Sequence, residues 1–447
     1  MARREYRANA HAERRGTRTS AHAERRGTNG MIEAGIREFQ ASGIDVDRGE
    51  VLVPRLISVT GEGVLSCGAA PLVAGSLRRR NCPARLAPVP ILDDPRGRDA
   101  VVCLATVRLD DGGPLGIAAV TAPQDKLAAA HARASVEEWL AAAGNRTLLA
   151  AGSPWCSGAL RAVAACREAA AAHAGSGRTV RLLGPVVLPP EAAAELADLG
   201  AIQVTSLADA QPGDVVVIAA HGAPPEIRAA AAERELTVVD ATCPVIRRAQ
   251  DKATRLADRG QHVVLIGQPG AAATGPIASR AAGHVTVVET TAGAASMRVS
   301  DARSLSYMVQ PGMPVEAADG MVSALRARFP AAKDTRPAGL CYAASDRAAT
   351  VRAIAVGSDL VLVLGDPQSP DARQIGVQAR DAGVKVALIH SVSDITPAML
   401  TGVTTIGTVE STSAPAVLAA EVIAALAGLG QLGVGRRQVS TDMAGSR

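Results

Sequence analysis

From residue 147 onward, short apolar runs alternate with Ala- and Arg-rich segments of helical period. The runs are TLLAAG, VRLLGPVVL, DVVVIAAHG, LTVVDAT, HVVLIGQPG, VTVVET, LSYMV, LVLVLGD, VALIHS and VTTIGTV. Strand–helix alternation of this kind predicts parallel sheets joined by right-handed crossovers. Ten such strands exceed what one compact sheet needs, so several smaller α/β units are expected. Composition agrees: apolar residues make up 48% of the chain but aromatics only 2%. An aliphatic core of that kind suits strands buried under helices on both faces.

Three cysteines stand at one kind of place in this region. Cys156 lies in SPWCSGALRAVAACREAA, Cys243 in DATCPVIRRAQDKA and Cys341 in GLCYAASDRAATVRAI. Each falls between an apolar run and the start of a helical segment, about one α/β unit from the next. Pro244 suits a first helical turn, where its missing N–H would be unpaired anyway. Free N–H groups and the positive dipole end of a helix favour a thiolate, and hence metal or sulfide ligation. Sites of open α/β sheets also gather at the carboxyl ends of strands. A single cysteine there would read as a buried inert thiol; three convergent ones read as ligands. Cys166, inside an Ala-rich helical run, reads as a core thiol.

The rest of the chain is less regular. AHAERRGT occurs twice within residues 1–30, a polar repeat with no apolar face, so disorder or an early start codon is expected, with Met31 opening ordinary sequence. Residues 31–146 form an N-terminal α/β unit: VLVPRLISV, ARLAPVPIL, AVVCLATVRL and LGIAAVTA read as strands, and KLAAAHARASVEEWLAAAG as a closing helix. Cys67, Cys82 and Cys103 lack CxxC pairing and read as structural thiols. Residues 431–447 read as a flexible polar tail.

Several function classes are excluded. The net charge is only +4 and just four of 47 basic residues are Lys, with few aromatics to stack bases, so no nucleic-acid partner is expected. No run approaches the roughly 18 apolar residues of a membrane span. Seven dispersed cysteines are an odd number, not a disulfide framework. A cytoplasmic protein with reduced thiols follows.

The cysteine segments resemble those of the hydroxymethylbutenyl diphosphate reductase (LytB) family over residues 147–430. DATCP at 240–244 is the most specific stretch, followed by LCYAASDRAATVRAIA, STSAPAVLAAEVIAAL and LLAAGSPWCSGALRA, with Trp155 where the family carries Phe or another apolar residue. The resemblance implies three pseudo-symmetric α/β lobes around a central iron–sulfur cluster, one cysteine per lobe. It implies a [4Fe–4S] cluster on Cys156, Cys243 and Cys341 with one iron open. The implied reaction removes a hydroxyl as water from a phosphorylated allylic alcohol, with electrons from ferredoxin or flavodoxin.

The departures fall on the substrate side. Leu188, Ala271 and Ala273 stand where the resemblance places two histidines and a proton-donating Glu, while His221 is kept. Gln310 survives in VQPG, and Ser369, Pro370 and Asp371 stand at a diphosphate clamp of which only Ser369 is kept; Ser413 is also kept. Losing imidazoles and gaining an anionic Asp weakens diphosphate recognition. Arg373 could restore a phosphate contact, though a solvated Arg is the blander reading. Asp371 and Glu410 are the candidate replacement proton donors, against surface carboxylates. The expectation is therefore a reductase diverged in substrate. The alternatives are a genuine 4-hydroxy-3-methylbut-2-enyl diphosphate reductase of isoprenoid biosynthesis, a non-catalytic cluster protein, or a zinc site on the same cysteines.

Overall fold

The computed structural model describes residues 36–60, 62–87, 91–92, 98–109, 113–184, 190–335 and 341–441. The AHAERRGT repeat, Met31 and Leu188 lie outside the described residues. The chain opens on eight strands: β1 (Ile36–Ala41), β2 (Val51–Val53), β3 (Leu56–Val59), β4 (Gly63–Ser66), β5 (Ala84–Leu86), β6 (Ile91–Leu92), β7 (Ala100–Val107) and β8 (Leu115–Thr121). They form one sheet, β1-β7-β8-β4-β3-β6, with β2 and β5 alongside. Helices Ala70–Arg79 and Lys126–Ala141 pack on one face; Asp125 caps the second by accepting from the Ala128 N–H. The first of these helices, β1 and β4 were not anticipated from the sequence.

Three parallel sheets follow, and they repeat one topology. Strands β10 (Val180–Leu183), β11 (Ile202–Val204), β12 (Val215–Ile218) and β13 (Thr237–Asp240) order as β11-β10-β12-β13. Strands β14 (His262–Ile266), β15 (Val285–Val288), β16 (Leu305–Val309) and β17 (Lys333–Asp334) order as β15-β14-β16-β17. In the remaining lobe β9 (Arg146–Ala151) takes the fourth place beside β18 (Leu360–Leu364), β19 (Lys385–Ile389) and β20 (Thr405–Glu410), giving β19-β18-β20-β9. Each lobe is thus ordered second, first, third, fourth, and the third is split because its fourth strand comes first in the chain. The all-buried runs Val215–Ile218, Leu305–Val309 and Leu360–Leu364 show why these segments are strands: they are covered on both faces.

The expectation of a flexible tail from residue 431 is corrected. β21 (Leu432–Arg437) lies parallel to β9, in register from Leu432 opposite Arg146 to Arg437 opposite Ala151. Backbone groups on the open edge of β9 need partners whatever the side chains, so LGVGRR forms a strand without any apolar alternation of its own.

The N-terminal unit is not a separate body. A single core cluster joins Leu72, Val73 and Trp139 to Leu148, Leu362 and Leu426 of the split lobe. Among the described residues no helix is long and apolar enough to cross a membrane.

Candidate functional site

Each of the three cysteines follows the fourth strand of one lobe and heads a helix of the next. Cys156 follows β9 and is the N-cap of helix Ser157–His173, which packs on the β10–β13 lobe. Cys243 follows β13 and caps helix Pro244–Asp258, which packs against β14. Cys341 follows β17 and precedes helix Ala343–Val356, which returns to the split lobe. The three helices therefore link the lobes cyclically, and their amino ends carry the thiols to one centre.

Convergence is visible at the atoms. A Cβ built on Gly158 would stand 2.9 Å from the Cys243 Sγ and 3.8 Å from the Cys156 Sγ, so the glycine is what lets these segments meet. The Ala159 N–H points at the Cys156 sulfur at 3.4 Å. Burial pushes the Cys341 thiol up, the N–H groups of Ala343 and Gly312 pull it down, and charge on Cys156 and Cys243 raises it again. Three cysteine sulfurs gathered at helix amino ends form a donor set for a metal centre, which binds them in the ionised form. Among the described residues no three His, Cys, Asp or Glu side chains are placed to share one metal ion.

The other four thiols differ. Cys67, Cys82, Cys103 and Cys166 are buried, and desolvation drives Cys67 to about 12 and Cys103 and Cys166 to about 11. They are core residues, as the sequence indicated.

Other candidates occupy loops at the carboxyl ends of first and third strands. His221 follows β12, next to Ala220, whose carbonyl accepts the Cys243 N–H at 2.8 Å. Desolvation by neighbouring protein lowers the His221 pKa although the residue is exposed, which favours the neutral ring. Gln310 follows β16; its carboxamide oxygen accepts from the Gln268 N–H at 2.8 Å and from Thr274 Oγ1 at 2.9 Å. Only its NH2 group remains for a ligand. Ser369 heads helix Pro370–Asp381 without a side-chain capping bond. Ser413 Oγ accepts the Asp366 N–H at 3.0 Å. Ala273 is buried and Ala271 half-buried, so neither can supply the donor that the resemblance places there, and Arg373 is exposed on the helix surface.

Asp371 is a brace rather than a free acid. Its carboxylate accepts from Arg347 at 3.0 Å and from the Thr412 N–H at 2.7 Å. Arg347 also donates to the Pro154 carbonyl at 2.6 Å and to the Glu410 carbonyl at 3.2 Å, tying the Cys341 helix to the Cys156 loop and to β20. Sequence reasoning missed this Arg, although it lies within the quoted LCYAASDRAA stretch. Glu410 ends β20 and is half-buried.

Asp240 was also missed, at the head of DATCP. Burial raises its carboxyl, but the Thr242 hydroxyl and N–H and the Arg228 guanidinium outweigh this and hold it at about 2. Arg247 adds a contact at 2.7 Å. The folded value lies below the usual carboxylate range, so this stabilisation is full above about pH 4 and is lost as pH falls toward 2. Asp240→Asn should therefore cost roughly 2 kcal/mol in urea unfolding at pH 7. The gap from the parent should narrow steadily below pH 4; a pH-independent gap would refute this role.

Two cavities flank the 151–155 segment. One, of about 430 Å³, is lined by Cys156, Cys341, Trp155 and Arg347; the other, of about 740 Å³, contains none of the three thiols. Glu410 and Trp155 border both. The larger cavity is therefore not the one that the thiols line.

Comparison with known proteins places this geometry. A family model described as LytB protein matches residues 147–427. A 4-hydroxy-3-methylbut-2-enyl diphosphate reductase of Mycobacterium bovis is 34% identical over 299 residues, covering 66% of this chain and 90% of the relative. That of Edwardsiella ictaluri is 34% identical over 289 residues, covering 64% and 90%. Among solved structures, the Plasmodium falciparum E-1-hydroxy-2-methyl-but-2-enyl-4-diphosphate reductase aligns with a TM-score of 0.56 at 20% identity, over 68% of this chain and 96% of that one. A second solved structure, of an (E)-4-hydroxy-3-methyl-but-2-enyl diphosphate reductase, gives a TM-score of 0.51 at 24% identity, over 63% and 99%.

Proposed function

Because this chain belongs to the LytB protein family, we propose that Cys156, Cys243 and Cys341 hold a [4Fe–4S] cluster with one iron open. We infer further that the protein is a reductase acting on a small phosphorylated allylic alcohol. The family's enzymes are iron–sulfur proteins, and the observation that carries the reading here is the meeting of three helix-headed thiols where the three lobes join. The balanced reaction takes one alcohol, two electrons and two protons to one deoxygenated product and one water. When bound, the cluster supplies a Lewis-acid iron and a path for electrons delivered by ferredoxin or flavodoxin.

The chain's own groups divide the remaining work. Neutral His221 donates one N–H to the anionic end of the substrate, with the Ser369 and Ser413 hydroxyls and the Gln310 NH2 as further partners. Glu410, which ends β20 and lines the cavity that contains Cys156 and Cys341, is the carboxylate assigned to proton delivery. The loss of donors at Leu188, Ala271 and Ala273 favours a substrate other than the one named for the relatives.

A second reading, retention of the relatives' activity, is favoured by their 34% identity across nearly their whole length. Turnover of 4-hydroxy-3-methylbut-2-enyl diphosphate by the loaded protein with reduced ferredoxin separates the two. We expect a rate about 10²-fold or more below that of a relative carrying the Glu and both further histidines. A matching rate, or rescue of a strain lacking its own reductase, would establish the second reading. If no hydroxylated compound perturbs the cluster spectrum, the protein carries a cluster without reductase chemistry.

A further inference from the structure

The end of the chain does more than extend a sheet. Past β21, Gln438 packs its carboxamide on Gly152, where a Cβ would lie 2.6 Å from the Gln438 Oε1. The Val439 N–H donates to Thr350 Oγ1 at 2.9 Å. Thr441 then binds Asp346 twice, through its N–H at 3.0 Å and its hydroxyl at 2.5 Å. Asp346 and Thr350 belong to the Cys341 helix, and Gly152 to the segment leading to Cys156. Residues Gln438–Thr441 form one wall of the 430 Å³ cavity that contains both thiols.

We propose that Gln438–Thr441 is a strap closing the outer side of the cysteine cavity, with Asp346 as the positioning residue that holds it. The strap ties the two cysteine-bearing segments together and limits what reaches Cys341 from outside. It rests on these cysteines being the functional site, but its test does not require a bound cluster.

In the reduced, metal-free full chain, alkylation of each cysteine by N-ethylmaleimide can be followed by peptide mass mapping. Cys243 does not line this cavity and serves as the internal reference. Truncation after Arg437 removes the strap, and Asp346→Ala releases it in a chain of full length. Both should raise the rate at Cys341 relative to Cys243 by about tenfold, because the hydrogen bonds holding the wall are gone. Asp346→Asn retains an acceptor and should fall between. In the loaded protein the same variants should lose cluster absorbance faster in air. An unchanged Cys341-to-Cys243 ratio in both the truncated chain and Asp346→Ala overturns the strap. A parent chain that binds no iron yet shows the altered ratio in its variants overturns the cluster reading and leaves the strap standing.

Discussion

Replacing Cys243 with serine should leave the protein folded and remove its iron. Expressed anaerobically with iron and sulfide, the parent should be brown, and Cys243→Ser should fall to background in both colour and bound iron. The fold should survive because Cys243 is the N-cap of helix Pro244–Asp258, a position where serine is among the preferred residues. The cluster should not, because a neutral hydroxyl replaces a thiolate, the form in which cysteine ligates metal. Cys166→Ser provides the contrast. That thiol is fully buried in helix Ser157–His173, so serine there should cost about 1–3 kcal/mol of stability yet leave the iron content intact. A parent chain that stays colourless and iron-free under these conditions would sink the proposal, and so would a Cys243→Ser chain as iron-rich as the parent.

Much of this site was legible because its determinants are local. A strand end, a cysteine and a helix start are adjacent in sequence, and the apolar runs announce themselves when both faces of a strand are covered. What the sequence hid was set by pairing at a distance. β17 is the dipeptide Lys333–Asp334, whose exposed charged residues carry no strand signal and which exists by pairing with Ser306 and Tyr307. β11, of three residues, and β21 are likewise strands added at the rims of sheets. Arg347 and Asp240 sit inside readable motifs, yet their roles depend on carbonyls and carboxylates from other segments. Asp371 is a further case: its bonds to Arg347 and to the Thr412 N–H come from segments remote in sequence.

The repeated strand order gives the cysteine positions a structural logic. Since each thiol lies between the fourth strand of one lobe and the first helix of the next, a guest bound by all three spans every lobe junction. The loop after each third strand is brought to one cysteine: Ala220 and His221 to Cys243, Gly312 to Cys341, and Glu410, through Arg347, to the Cys156 loop. Divergence at Ala271 and Ala273, by contrast, falls after a first strand, β14.

The N-terminal unit should prove inseparable from the split lobe, and Gly428→Ala is the sharpest way to see it. Gly428 ends helix Leu418–Ala427 with an ordinary φ of −72°, so alanine meets no backbone strain there. In free space such a change would stabilise by about 0.4–1 kcal/mol through the unfolded chain. Here a Cβ would lie 2.1 Å from the Ala69 N and 2.5 Å from the Gly68 carbonyl carbon. These are main-chain atoms that no rotamer change can move. The opposing helices must separate, opening the core shared by Leu72, Trp139 and Leu426. The expected loss is about 3 kcal/mol, at the upper end of overpacking costs, in a single unfolding transition covering both parts. Gly144→Ala, with nothing within 4 Å of its Cβ, should change stability little. If Gly428→Ala unfolds at the parent's denaturant midpoint, the contact between the two parts is not the close main-chain packing described, and residues 36–146 would be free to act as a unit of their own.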